Sequence, residues 1–118
     1  MADYHDYTKL DIWQVSMDLC VLIYRESTSF PKSEIYGLTS QIRRAATSIP
    51  LNISEGSGRT TKPDFLHFLA IANGSVRELE TLIHLSVRLG YLINGEELLT
   101  LCQRVGQMLT KLRQSLQK

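Results

Sequence analysis

The spacing of apolar residues constrains the fold more than any other feature of this sequence. In four successive segments they recur at every third or fourth position, which places them on one side of an α-helix. A strand buried on one face would instead alternate apolar and polar residues, and no segment does so. The pattern therefore predicts an all-α protein with helices at about 9–29, 38–56, 62–89 and 95–117.

The length of 118 residues fits one domain, which we expect to span residues 1–118. In the fourth predicted helix the apolar residues follow a near-heptad spacing, from Leu98 through Val105 to Leu112. Such spacing is typical of helices that pack side by side with a left-handed twist. The expected architecture is a bundle of four helices.

Pro50 lies inside the second predicted helix. An interior proline removes one amide donor and clashes with the carbonyl four residues earlier, here that of Ala46, at a cost of about 3 kcal/mol. The apolar spacing nevertheless continues in phase from Ile49 to Ile53. We therefore predict one helix that is kinked at Pro50, rather than two helices.

Caps are predicted at the start of three helices. In a capping pair the first side chain accepts a hydrogen bond from an amide of the first turn, and the second reaches back. The predicted pairs are Thr8 with Asp11, Thr61 with Asp64, and Asn94 with Glu97.

The N-terminal residues MADYHDYTKL are acidic and lack the basic and apolar regions of a signal peptide. No apolar run approaches the roughly 20 residues that cross a bilayer. We therefore expect a cytoplasmic protein with no membrane partner. Cys20 and Cys102 are the only cysteines, and both fall in apolar helical patterns, so we expect small core residues, with a disulfide between them as the alternative.

Charge is nearly balanced but unevenly distributed. The whole chain carries a net charge of +1, divided as −3 over residues 1–24, +3 over residues 25–62 and +1 over residues 63–118. This is far less positive than a dedicated nucleic-acid binder. The basic excess around the second helix still favours an anionic partner over a cationic one.

The second predicted helix and its exit carry the most specific residues. The run from Gln41 to Arg59, QIRRAATSIPLNISEGSGR, resembles the signature of the 23S ribosomal RNA intervening-sequence protein family, also called the four helix bundle protein family. Further segments agree with that family along nearly the whole chain. They are LDIWQ at 10–14, FP at 30–31, YGLTSQ at 36–41, FLHFL at 65–69, ANGS at 72–75 and ELE at 78–80.

The resemblance implies an antiparallel, up-down four-helix bundle that assembles into a ring-shaped homopentamer. It implies no established reaction and no cofactor, and a bacterial source, because members are encoded within insertions in bacterial ribosomal RNA genes. A related accessory protein of diversity-generating retroelements is a basic pentamer that binds nucleic acid. This chain departs from that relative in being nearly neutral.

A row of polar residues follows one side of the second helix beside its apolar stripe. Its members are Gln41, Arg44, Ser48, Asn52, Glu55 and Arg59, at spacings of 3, 4, 4, 3 and 4. The row is either a solvated face or a buried or interfacial hydrogen-bond network, and its short side chains favour the network. We expect Arg44 to pair with Glu55 or Glu78, and Asn52 to meet the third helix near Ser75. Such a network would set register and partner choice more than stability.

Arg43, Arg59 and Lys62 are the candidate contacts for RNA or DNA. We expect the polar row to engage Arg44, which leaves these three available. A ring of subunits would repeat them, and several weak sites can bind one strand together. Nucleic-acid binding is therefore the alternative to a purely structural role.

No residue pattern points to catalysis, a cofactor or a metal. The glycines of Gly56–Arg59 follow a helix and lack a P-loop lysine, which argues against phosphate binding. The histidines His5, His67 and His84 lie on separate elements without ligand spacing. We expect a non-enzymatic protein.

Gly74 lies in the middle of the third predicted helix and costs about 1 kcal/mol relative to alanine. Close approach of another helix, within the bundle or from another subunit, would compensate for that cost.

Overall fold

The computed structural model describes residues 4–118. Within them, four α-helices form the fold: α1 (Asp11–Ser27), α2 (Leu38–Ser57), α3 (Lys62–Arg88) and α4 (Glu96–Leu116). Single 3-10 turns at Tyr7–Lys9 and Lys32–Glu34 precede α1 and α2, and no strand occurs in the described part of the chain. The all-α prediction is confirmed, and the observed bounds differ from the expected ones by at most two residues.

Each helix packs against two neighbours, so that the four form a square. α2 and α4 lie on opposite corners, and each contacts both α1 and α3. The arrangement is the predicted antiparallel, up-down bundle. Its core is filled by aliphatic side chains at the three- and four-residue spacing of the sequence, since these positions face the bundle axis. The largest fully buried ones include Leu19, Ile23, Ile42, Ile49, Ile53, Leu69, Leu79, Ile83, Leu98 and Leu109.

The bundle has two distinct ends. At the termini end, the ring of Tyr4 packs edge-on against Phe65, with centroids 5.8 Å apart. The Tyr4 hydroxyl lies 3.5 Å from that of Ser115, so the first described residues lie beside the end of α4. At the connector end, the ring of Phe30 packs against Tyr91, with centroids 5.5 Å apart, and joins the α1–α2 and α3–α4 connectors. None of the helices within residues 4–118 is both long and apolar enough to cross a membrane.

Helix α2 continues through Pro50, which is buried. A proline at this position leaves the Ala46 carbonyl without its usual amide donor. The thiol of Cys20 on α1 donates a hydrogen bond to that carbonyl at 3.1 Å. Burial raises the pKa of Cys20 to about 11, so the thiol keeps the proton it donates. The structure confirms a single helix, and the kink at Pro50 stays a prediction.

One predicted cap is confirmed and two are wrong. Thr61 accepts a hydrogen bond from the Asp64 amide at 3.2 Å, as expected. Thr8, however, lies in a 3-10 turn, and the N-cap of α1 is Leu10, which makes no side-chain capping bond. The Thr8 hydroxyl instead donates to the Asp6 carboxylate at 2.6 Å, a hydrogen bond that lowers the pKa of Asp6.

The third predicted cap is displaced. Gly95 is the N-cap of α4 and offers no side chain. The Asn94 side chain accepts from the Glu96 amide at 3.2 Å, rather than from the amide of Glu97. The local polar residues were read correctly as a helix start, but the exact pairing depends on backbone angles that the sequence pattern does not specify.

An unpredicted carboxylate caps α2 instead. One oxygen of Glu34 accepts from the Leu38 amide at 3.1 Å, and the other accepts from the Tyr91 hydroxyl at 2.9 Å. The second bond raises the pKa of Tyr91, because it favours the protonated phenol. A Cβ at Gly37 would lie 2.6 Å from the Glu34 carboxylate, so glycine leaves room for this cap.

Candidate functional site

The inner part of the polar row lies in the seam between α2 and α3. The hydroxyls of Ser48 and Ser75 are 2.8 Å apart, and this contact joins the two helices. The Asn52 amide donates to the hydroxyl of Ser48 at 3.0 Å and to its carbonyl at 2.7 Å. The Ser75 hydroxyl donates to the Ile71 carbonyl at 3.2 Å. Ser48 therefore makes the contact with α3 that the sequence assigned to Asn52.

Burial divides this row into two parts. Ser75 is buried, and Ser48 and Asn52 are half-buried, because α2 and α3 approach closely there. The remaining members lie outside the seam, where water reaches them. The exposed members are Gln41, Arg44, Glu55 and Arg59, and Glu78, their expected neighbour on α3, is exposed as well.

The expected pairing of Arg44 is not observed. Glu55 forms its ion pair with Arg59, four residues further along the chain and just beyond the end of α2, at 2.6 Å. Both partners of this pair are about half exposed, with side-chain exposures of 57% and 42%, so its contribution to stability is small. Arg44 and Glu78 instead line the same cleft, on opposite helices.

That cleft, the α2–α3 cleft, has a volume of about 550 Å³ and lies toward the connector end. Small residues form its floor, and two oppositely charged side chains stand at its walls. It is lined by Tyr36, Gly37, Ser40, Gln41, Arg44, Ala45, Ser48, Ser75 and Glu78.

The surface beside the seam is unusually open and apolar. Leu51 on α2 is 64% exposed, and Ile71 on α3 is 40% exposed. Gly74 lies one helical turn after Ile71 on α3, and a Cβ built there would meet no atom within 4 Å. No helix of the described chain therefore supplies the close approach that Gly74 led us to expect. We call Leu51, Ile71, Gly74 and the α2–α3 cleft the assembly face.

The candidate nucleic-acid contacts are not equally available. The Arg43 guanidinium donates to the Ser27 hydroxyl at 2.8 Å and to the Tyr24 carbonyl at 3.3 Å. It also lies over the Tyr24 ring, 4.6 Å from its centroid. Arg43 is thus engaged within the bundle and Arg44 is exposed, the reverse of the expectation.

The other two candidates lie at the termini end. The Arg59 guanidinium lies 4.6 Å from the centroid of the Phe68 ring, in addition to its pair with Glu55. Lys62 is exposed in the first turn of α3, next to Arg59 in the turn between α2 and α3. These two cations therefore face solvent at the same end of the molecule.

Two kinds of reactive group, a metal centre and a cysteine thiolate, can be checked among the described residues. Within residues 4–118, no three His, Cys, Asp or Glu side chains are placed to hold a metal ion. Burial raises the pKa of Cys102 to about 12, with a smaller contribution from the charge of Glu80. Neither cysteine thus offers a thiolate near neutral pH.

Sequence reasoning missed three residues that organise the site. Glu34 caps Leu38 only four residues away, but its bond with Tyr91 and the bond from the Cys20 thiol to Ala46 join positions far apart in the chain. The one available signal was Pro50, since an interior proline leaves a carbonyl that needs another donor.

Fold and site together define a four-helix bundle protein whose distinctive polar residues lie along the surfaces of α2 and α3. The family model of the 23S rRNA-intervening sequence protein matches residues 8–111, and the chain belongs to this family. No catalytic domain is indicated for it.

The fold also matches a solved relative. A crystal structure of a protein of unknown function, from the S23 ribosomal protein family of Bacteroides thetaiotaomicron VPI-5482, superposes with a TM-score of 0.77. The two chains share 23% identity, over 86% of this chain and 97% of the other. No curated protein matches the chain. At this level of identity the relative supports the fold.

Proposed function

We propose that this protein is a non-enzymatic module that assembles with copies of itself into a homopentamer through the assembly face. The observation that carries the proposal is the open surface at Gly74. An interior glycine destabilises a helix by about 1 kcal/mol, and within one chain nothing packs there to require it. A helix of a second subunit, approaching the α3 backbone closely, gives the glycine a reason.

A ring uses two different surfaces of each subunit, because every interface joins one face to another. The assembly face is one of them. On a different helix, Met17, Val21 and Tyr24 form a stripe at i, i+4 and i+7, exposed by 37%, 47% and 44%. We assign this α1 stripe as the surface that meets the assembly face of the next subunit. Five is the number of subunits that the family resemblance implies.

Light scattering after size-exclusion chromatography tests the proposal. Five chains of 13.4 kDa have a mass of about 67 kDa. A species of 13.4 kDa at micromolar concentration would overturn self-assembly, and another stable multiple would overturn only the number five.

Charged substitutions test which surfaces meet. Leu51→Lys on the assembly face and Val21→Lys on the α1 stripe should each dissociate the assembly. Burying a lysine charge in the interface without a partner costs more free energy than the contact provides. Ile93→Lys is the matched control, since Ile93 is fully exposed at the connector end and lies on neither surface. Dissociation by the control, or an intact assembly in both test variants, would remove the assigned faces.

The alternative function is RNA or DNA binding along a basic rim. It is supported by Arg59 and Lys62, which are exposed at one end of the bundle and would be repeated around a ring. Such binding would be independent of sequence and would weaken steeply with salt, because phosphate contacts release counterions. Arg43 contributes less than expected, since its guanidinium is held by α1.

A mobility shift at low salt tests this alternative, with the double variant Arg59→Ala/Lys62→Ala. The matched control is Lys32→Ala/Arg88→Ala, which removes two exposed cations from the connector end. Binding by wild type and the control, with loss in the test variant, supports the rim. Absence of binding by the wild type removes the function, and equal binding by all three proteins removes the site.

A further inference from the structure

We infer that a second cleft, between α3 and α4, binds an extended acidic segment of a partner polypeptide. This α3–α4 cleft lies on the side of α3 away from α2, so it is separate from the assembly face. Its volume is about 590 Å³, similar to that of the α2–α3 cleft.

The cleft has an apolar floor and polar walls. Val76 and Cys102 are 3% and 0% exposed and form the floor. Most of the remaining lining side chains carry hydrogen-bonding groups and belong to the exposed sides of the two helices. They are Asn73, Arg77 and Glu80 on α3, and Gln103, Gln107, Thr110 and Lys111 on α4.

Three carboxamides make this lining suited to a peptide backbone. Each carboxamide both donates and accepts, which is the complement of a peptide group with its N–H and C=O. Gln103 and Gln107 are four residues apart on α4, a rise of about 6 Å along the helix. In an extended chain, residues that face the same side are about 6.6 Å apart. The peptide groups on one side of a bound segment can therefore meet the two glutamines in turn. Asn73 stands on the opposite wall.

The lining also selects against nucleic acid. Bases bound outside a duplex usually stack on aromatic rings, and none of the residues that line this cleft is aromatic. The charged side chains are Arg77 and Lys111 against Glu80, an excess of one positive charge. An acidic peptide therefore complements the cleft better than a basic one.

Gly106 holds the cleft open. It lies within α4, where glycine disfavours the helix, and a Cβ there would meet no atom within 4 Å. Packing within the chain therefore does not require a glycine. The missing side chain leaves space between the walls in which a peptide can approach the backbone of α4.

Fluorescence polarisation tests the inference with a defined probe, a fluorescein-labelled, N-acetylated octapeptide of alternating Asp and Gly. The matched probe carries Lys in place of Asp. We expect saturable binding of the acidic peptide by the wild-type protein at low salt, with at least tenfold weaker binding of the basic one. An unlabelled single-stranded oligouridylate serves as competitor.

Gly106→Leu is the decisive variant, because it fills the cleft at a position where the fold has room and α4 gains helix propensity. We expect it to remain folded by circular dichroism and to bind the acidic peptide at least tenfold more weakly. Thr81→Leu, on the exposed surface of α3 and in the lining of neither cleft, should bind like the wild type. No saturable binding of the acidic probe, equal binding of both probes, unchanged binding by Gly106→Leu, or displacement by the oligouridylate would each overturn the inference.

Discussion

Helices α2 and α4 occupy equivalent corners of the bundle, since each lies between α1 and α3, yet they are held in different ways. α2 is joined to both neighbours by directed polar contacts, from Cys20 on α1 and Ser75 on α3. Both helices border a cleft beside α3, of about 550 Å³ for α2 and about 590 Å³ for α4, but α4 also leaves a smaller one, of about 210 Å³, beside the start of α1. Helices of similar length and periodicity can thus differ in how closely, and through which contacts, they pack against their neighbours.

Glycines mark this difference most clearly. A Cβ at Gly56 on α2 would lie 2.8 Å from the Cβ of Phe68 and 2.9 Å from the ring of Phe65, so only glycine permits the close approach of α3. A Cβ at Gly106 on α4 would meet nothing within 4 Å. The same residue type therefore closes one seam and opens another.

The largest expected effect comes from adding a side chain at Gly56. Gly56→Val should destabilise the fold by about 3 kcal/mol, because overpacking against Phe65 and Phe68 forces α2 and α3 apart. Urea denaturation at a fixed protein concentration measures the change. If Gly56→Val lowered the free energy of unfolding by less than about 1 kcal/mol, the α2–α3 seam would have room for a side chain, as the α3–α4 seam does at Gly106.

Substitutions of the two cysteines test the same difference, because Cys20 bonds to α2 and Cys102 lies on α4. Cys20→Ala should cost about 2 kcal/mol, because the Ala46 carbonyl loses the donor that replaces the amide missing at Pro50. Cys20→Ser restores a donor and should recover part of that loss. Cys102→Ala removes the same atoms beside α4 and should cost only about 1 kcal/mol, through the cavity alone. Equal losses at the two cysteines, measured by denaturation, would contradict the role of the Cys20 thiol.

Ser75→Ala should cost about 1 kcal/mol, since it removes the hydroxyl that joins α3 to Ser48. In a double-mutant cycle with Ser48→Ala the losses should be non-additive, because both changes delete one contact. Thr81→Ala is the control, as the exposed Thr81 hydroxyl bonds only within α3, to the Arg77 carbonyl. Additive losses would show that the hydroxyls of Ser48 and Ser75 do not interact.

Gly106→Ala should stabilise the fold by about 0.8 kcal/mol, because alanine favours the helix and its methyl group meets no neighbour. Thermal unfolding checks the sign, which is opposite to that expected at Gly56. Gly74→Ala makes the same local change on α3. It should give a similar gain in dilute monomer and a smaller one, or a loss, wherever subunits pack against α3.

The smallest expected effect is at the outer part of the polar row. Glu55→Ala should cost about 0.3 kcal/mol, because the pair with Arg59 is exposed to water, and added salt should abolish the difference. A loss above about 1 kcal/mol, together with a smaller oligomer in light scattering, would show that assembly buries this end of the row.

Periodicity was sufficient to predict the four helices, their approximate bounds and the continuity of α2 through Pro50. Each of these follows from local geometry, since the apolar residues must face one direction whatever lies opposite them. The run from Gln41 to Arg59 was likewise enough to indicate the family, whose model matches residues 8–111.

Only the tertiary structure decided which neighbour each side chain meets. Arg43 and Arg44 are adjacent in the sequence, but they point about 100° apart on the helix, so one reaches Tyr24 while the other stays exposed. The spacing of the polar row was compatible with a contact from either Ser48 or Asn52, and the closeness of α3 determined that Ser48 makes it. The sequence does not distinguish Gly56, which is tightly packed, from Gly106, which is open. The distance between two helices decides this, and that distance is set by all the side chains between them.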